Sequence, residues 1–291
     1  MVVPLALAAA YLKRASTLAR QGRPVPGLRL LSFICGMLVI CVATSAPAET
    51  QAEQLFSAHM VQHLILADGA SLLLVLGLTG PVMQPLLVNR FARPLRALTH
   101  PVVAITLYTL NIYLWHTPLL AQAVLHSEPL HVSEHLLFIG TGMLLWMPLF
   151  GPLPKPQWFG KAAHVIYTVG IWLPGMALAN FLMWSDTEFY PDYATSARAH
   201  GVAPITDQSI AGALLMIECT VMALGIFTWV FLRWAAEDTE RQDLLDLALE
   251  HRVELSSARA ARAVAAGRGS ELRTRIESEP QRSGRAGSRA P

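Results

Sequence analysis

Five histidines in this chain fall at spacings suited to metal binding. His59 and His63 stand four residues apart, and so do His131 and His135. Residues four apart share one face of a helix, so each pair turns two imidazoles toward the same neighbour. Imidazole suits copper, zinc and haem iron, whereas thioether favours Cu(I). Met60, beside His59, supplies such a sulfur, and Met183 and Met216 fall at comparable depth. His116 adds a fifth imidazole on the helix between the two pairs. Glu134, next to His135, is placed to orient a ligand by accepting its second N–H. For any single histidine, an interhelical hydrogen bond is the competing account.

The elements that must position these side chains are membrane helices. Charged residues make up 14% of the 291, against 53% hydrophobic, and mean hydropathy is +0.42. A soluble domain carries about 25% charged residues. This composition disfavours a soluble globular protein and a disordered chain. A net charge of +2 gives no reason to expect nucleic acid as a partner. Six stretches reach the roughly 20 apolar residues a membrane helix needs: about 28–46, 57–79, 99–121, 132–150, 163–184 and 209–233. Residues 2–12 are apolar but span only about 17 Å as a helix, so they read as a short or truncated first span. The fold class expected is an all-α polytopic transmembrane bundle over 1–234, followed by a charged cytoplasmic tail over 235–291.

Orientation follows from the basic residues. With alternating spans, Lys13, Arg14, Arg20, Arg23, Arg29, Arg90, Arg93, Arg96, Lys155, Lys161 and Arg233 fall on one side, and of the body's cations only Arg198 falls on the other. That side is the cytoplasm, which also receives the C-terminus. The five histidines then collect in one layer near the outer surface. Imidazoles inside a membrane cost free energy unless they face the bundle interior and find partners, so the layer as a whole points to a metal or haem.

Two acids lie deeper. Asp68 and Glu218 are about 16 Å and 14 Å below the outer ends of their spans, where ionisable groups are functional candidates. They are expected to share a proton, balance a cation or face a polar cavity, or to form a hydrogen-bonded pair without further role. Asp207 reads as the N-cap of the last span. Pro174-Gly175 should kink the 163–184 helix. Cys35, Cys41 and Cys219 form no CxxC pair and suggest neither a disulfide framework nor a zinc knuckle.

An ordered set of motifs adds to this reading. His59-Met60-Val61-Gln62-His63 comes first, then Trp115-His116-x-Pro118, His131-x-x-Glu134-His135-x-x-Phe138 and Trp146-Met147-Pro148. Leu173-Pro174-Gly175, Tyr190-Pro191-Asp192-Tyr193 and Asp207-Gln208-x-x-Ala211-Gly212 follow. In this order and spacing, from about residue 25 to 234, the chain resembles the seven-span CtaG-type cytochrome c oxidase assembly proteins of bacteria. The resemblance implies a role in maturing a haem–copper oxidase at its copper centres, with oxidase subunits as partners and the inner membrane as location. It also implies a first span longer than residues 2–12. Asp68, Gly69 and Glu218 stand where the resemblance implies apolar residues.

The function expected is therefore that of a non-enzymatic assembly factor. His59, His63, His116, His131 and His135, with Met60, would hold copper, and Glu134, Asp68, Glu218 and Asp207 would be polar residues around the site or within the membrane. A haem b protein or quinone-linked redox protein, a metal-free scaffold for oxidase subunits and a copper transporter are the alternatives. In the tail, 240–256 should form an amphipathic helix with Leu244, Leu245, Leu249 and Leu255 near one face, lying at the membrane surface or docking a partner. Disorder is expected after it.

Overall fold

The computed structural model describes residues 2–88 and 92–278. Arg90, one of the orienting cations, lies outside them. No strand forms among the described residues, as the all-α expectation requires. In chain order the helices are α1 (Val2–Arg20), α2 (Gly27–Ala43), α3 (Ala46–Gln54) and α4 (Phe56–Leu64). A π-helical turn, Ile65–Ala70, leads from α4 into α5 (Ser71–Gly77). Then come α6 (Gly80–Val88), α7 (Ala92–Leu98), α8 (Pro101–Trp115), α9 (Pro118–Leu125), α10 (Glu128–Phe150) and α11 (Lys161–Trp184). A 3₁₀ turn at Pro191–Tyr193 precedes α12 (Ala194–Ala199) and α13 (Pro204–Glu250); α14 (Ser257–Ala265) and α15 (Gly269–Ser278) close the described chain.

Four stretches among the described residues are long and apolar enough to cross a membrane singly: Phe56–Gly77, Glu128–Phe150, Lys161–Trp184 and Pro204–Glu250. Counting each of two bent pairs as one span, α2 with α3 at 55° and α7 with α8 at 68°, gives up to six. The chain is thus a multi-pass membrane protein. α1 runs eight residues past the expected stretch, through Lys13 and Arg14, and is not among these spans. It packs on the bundle through Tyr11, whose ring stacks on Phe33 at 3.7 Å and whose hydroxyl donates to the Gly77 carbonyl.

Prolines account for the breaks that differ from expectation. Pro118 disfavours helical geometry at Thr117, so the 99–121 helix stops at Trp115 and restarts at Pro118. Ser45 is extended ahead of Pro47, so α2 ends early and the acidic stretch after it becomes a helix of its own. Pro174, by contrast, stays inside α11.

α10 packs on α5, the π turn and α8, and is the central helix of the bundle. Close approach depends on Gly142: a Cβ there would stand 2.0 Å from the Ala67 carbonyl oxygen of the π turn. Ser71 ties the same contact, its hydroxyl oxygen 2.9 Å from the carbonyls of both Leu66 and Ile139, to either of which its one proton can be donated.

The chain divides into two compact units, Met1–Leu224 and Gly225–Pro291. In the second, Leu244, Ala248, Val264 and Ile276 form a small core with Leu247, Val253, Leu255 and Leu272 around it. The tail departs from expectation here. Residues 240–250 are the end of α13, and 257–278 form two further helices rather than a disordered stretch. Leu249 is 75% exposed, and the packed face is instead Leu244, Leu247 and Ala248. The i,i+3,i+4 spacing of that face is what α14 and α15 bury.

Candidate metal centre

The site begins at the N-terminus of α4. The residue before it, Leu55, has no side-chain acceptor for the helix's first N–H groups. Asp207, from the start of α13, supplies one: Oδ2 accepts the Phe56 N–H at 2.8 Å and Oδ1 the Ser57 N–H at 3.2 Å. Asp207 therefore caps α4 and not its own helix, which begins at Pro204. A carboxylate at a helix N-terminus also meets the positive end of the helix dipole. Farther along, buried Gln62 donates to the Ala43 carbonyl at the end of α2. α4 is held at both ends, and that sets the direction of His59 and His63.

These two imidazoles meet Glu134 of α10. His59 Nε2 lies 3.6 Å from Glu134 Oε2, and His63 Nε2 lies 3.4 Å from Oε1. One ligand atom from each of the three falls within 4.8 Å of the others. All three residues are buried, Glu134 to 1% exposure. The separations exceed the 2.7–3.2 Å typical of N–H···O hydrogen bonds. They match instead the spacing of about 3.4 Å between two ligands on one tetrahedral ion at about 2.1 Å. Glu134 Oε2 and both ring nitrogens of His63 have no hydrogen-bond partner, and buried orphan atoms of this kind mark a place where an ion or water would bind.

A second trio stands beside the first. Glu49 of α3 lies against both histidines of the α10 pair, with Oε2 3.6 Å from His131 Nδ1 and Oε1 3.9 Å from His135 Nδ1. Its ligand atoms also converge within 4.8 Å. The i,i+4 pairs behave as their spacing predicts, with ring centroids 4.2 Å apart for His59 and His63 and 4.3 Å for His131 and His135. The trios adjoin: the His59 and His131 rings stack at 5.7 Å, and His63 and His135 are 6.0 Å apart.

His116 belongs to neither trio. It is the C-cap of α8, its ring 6.1 Å from that of His63. Its Nδ1 lies 2.7 Å from the Ile112 carbonyl. A carbonyl only accepts, so Nδ1 carries the proton and Nε2 keeps a lone pair in the neutral ring. Met60 is buried at 1% exposure, but as the next residue after His59 it points about 100° farther around the helix. Phe138 packs on the His63 ring at 4.2 Å and closes the floor.

The loop after α11 covers the site. Tyr190 stacks on Phe56 at 4.0 Å and donates its hydroxyl to the His116 carbonyl. Tyr193 meets Phe56 edge-on, its ring 6.3 Å from that of His59. Burial, with the Glu134 and Asp207 carboxylates nearby, pushes the Tyr193 hydroxyl well above its ordinary range and keeps it neutral. Gln208 accepts the Phe189 N–H and donates to the Thr187 carbonyl. His126 bridges to Asp192 at 2.8 Å.

The deep acids form a separate cluster. Tyr108 donates to Asp68 at 3.1 Å. Glu218 lies close enough to Asp68 to feel its charge, and its buried Oε1 has no hydrogen-bond partner. Pro174 and Gly175 attend α8 and α13 rather than the histidines: the Tyr113 hydroxyl donates to the Pro174 carbonyl, and Gly175 leaves room for the Cys219 sulfur.

A family model described as cytochrome c oxidase caa3 assembly factor matches residues 9–237. The chain belongs to that family. Among its relatives are uncharacterized proteins of Mycobacterium leprae, 25% identical over 244 residues, and of Mycobacterium bovis, 27% identical over 256. Those alignments cover 75% and 80% of this chain but 36% and 38% of the relatives. The chain thus spans little more than a third of the length of these curated relatives. No solved structure matches it.

Within this chain, sequence reasoning missed Glu49 as a site residue, because an acid ahead of a span reads as loop charge. Its signal was Pro47, which starts a new helix after Ser45. Tyr190 and Tyr193 entered the motif set without a role, since only tertiary contact shows what they cover.

Proposed function

We propose that this chain assists assembly of a haem–copper cytochrome c oxidase by holding copper as cargo at His59, His63 and Glu134. The observation that carries the proposal is the convergence of these three buried side chains at ligand spacing. Two imidazoles and a carboxylate form a borderline donor set that accepts Cu(II) as well as zinc or iron. The family's link to oxidase assembly is the ground for reading the ion as copper. His116, its ring 6.1 Å from that of His63 and its Nε2 lone pair free of the Ile112 contact, is a further imidazole donor that would complete a fourth position after a ring shift.

Glu134 supplies a negative charge that offsets part of the ion's charge in a buried setting. Its contact with both His59 and His63 also fixes how far apart the two rings stand. Tyr190, Tyr193 and Phe138 exclude water around the ion, which strengthens every electrostatic contact there. The distribution of basic residues supports a reading with this end of the bundle at the outer face of the bacterial inner membrane and the tail in the cytoplasm. The chain acts as a carrier and not as a catalyst. Packing of the imidazoles ring against ring favours a single ion over a haem macrocycle.

The test is copper content of the purified protein after loading, compared with His59→Ala/His63→Ala, together with a visible spectrum. Retention that the double variant abolishes is expected, without a Soret band. Equal copper in both would overturn the reading. Full oxidase assembly in cells carrying only the double variant would favour a metal-free scaffold.

A further inference from the structure

The histidine layer is two sites rather than one. Beside the sealed trio, Glu49 bridges His131 and His135, with one carboxylate oxygen on each ring. At 3.6 and 3.9 Å these contacts are too long for hydrogen bonds, yet close to the separation of two ligands on a shared ion. One ligand atom from each of the three falls within 4.8 Å of the others, and His135 is 7% exposed.

The two trios differ in access. Glu49, His131 and His135 line a cavity of about 650 Å³. His126, Glu53 and Glu128 line it too, and add donors and negative charge of the kind that attracts a cation. His59 is the one member of the sealed trio that reaches this cavity. The bend of 55° between α2 and α3 is what carries Glu49 to α10.

We propose that Glu49, His131 and His135 form a second metal station, which takes a copper ion from the cavity and hands it to His59, His63 and Glu134. The inference rests on the reading that the sealed trio holds copper. The stacked rings of His59 and His131 border both stations, so His59 is the imidazole that meets the ion first. Exchange of one imidazole for another keeps the ion ligated throughout, and neither the ion nor the protein changes oxidation state.

The experiment is copper stoichiometry of the full chain, loaded with excess Cu(II) and desalted. The wild type, Glu49→Gln/His131→Ala and His59→Ala/His63→Ala are compared. Two ions per chain are expected for the wild type and one for each double variant. Loading of the remaining ion should be slowed severalfold in the Glu49→Gln/His131→Ala protein. Glu49→Gln alone, which changes a partly exposed carboxylate to its isostere, serves where the double variant misfolds and should lower occupancy in the same direction. Wild-type content and loading rate in the Glu49 variants would overturn the second station and leave the sealed site standing. Wild-type content in His59→Ala/His63→Ala would overturn the sealed site instead, and no copper in any protein would overturn both.

Discussion

The Asp207 carboxylate accepts the Phe56 backbone N–H at 2.8 Å, across 151 positions of sequence. One side chain thereby joins the start of the last apolar helix to the helix that carries His59 and His63. Asp207 itself is 2% exposed, so nothing from solvent replaces it once removed. Asp207→Ala leaves the buried Phe56 N–H and the partly buried Ser57 N–H without their acceptor and should cost about 2 kcal/mol of stability. Asp207→Asn keeps one acceptor and should cost less. Thermal unfolding in detergent checks the order wild type, then Asn, then Ala, and equal midpoints for all three would refute the capping role.

Glu134→Gln separates binding from folding. Glu134 is 1% exposed, and a carboxylate buried without a metal ion beside it is costly to desolvate. Its amide isostere should leave the metal-free protein as stable or more stable. Copper affinity should fall at least about tenfold. A competition titration with a chelator measures the second effect, and unchanged affinity would remove Glu134 from the site.

Gly142→Ala places a methyl group 2.0 Å from the Ala67 carbonyl oxygen unless α10 moves away. The expected cost is about 1–3 kcal/mol. Because Glu134 and His135 ride on the same helix, copper occupancy should fall alongside the melting temperature. A melting temperature equal to wild type would show that the π turn yields instead.

Tyr108→Phe removes the hydroxyl that Asp68 accepts. Hydrogen bonds between membrane helices contribute about 0.6 kcal/mol on average, so a loss of about 1 kcal/mol is expected. Copper content should stay at the wild-type level, since the cluster of Asp68, Tyr108 and Glu218 contains none of the converging ligands. Loss of copper in this variant, measured on folded protein, would link the two clusters.

Ile276→Asp tests the tail. Ile276 is 1% exposed among Leu244, Ala248 and Val264. A charge there should release α15 and expose residues 257–278 to limited proteolysis, with copper content unchanged. Resistance equal to wild type would mean that this small core does not hold the tail helices.

The sequence by itself determined the local and statistical features. Low charge and long apolar runs require membrane helices, because only helices and closed barrels satisfy the backbone in lipid. The spacing of His59 with His63 and of His131 with His135 set each pair on one helix face, since helical geometry is periodic over a few residues. Pro118 and Pro47 carried signals for the breaks after Trp115 and Ala43 that the hydropathy pattern masked. Tertiary structure alone decided the partners across helices. Glu134 faces both His59 and His63, Glu49 faces His131 and His135, and Asp207 caps α4. Tyr190 and Tyr193 close over the site. Each of these contacts joins residues that no short-range periodicity relates, and each depends on how the helices pack, which is settled by close contacts such as Gly142 on the π turn.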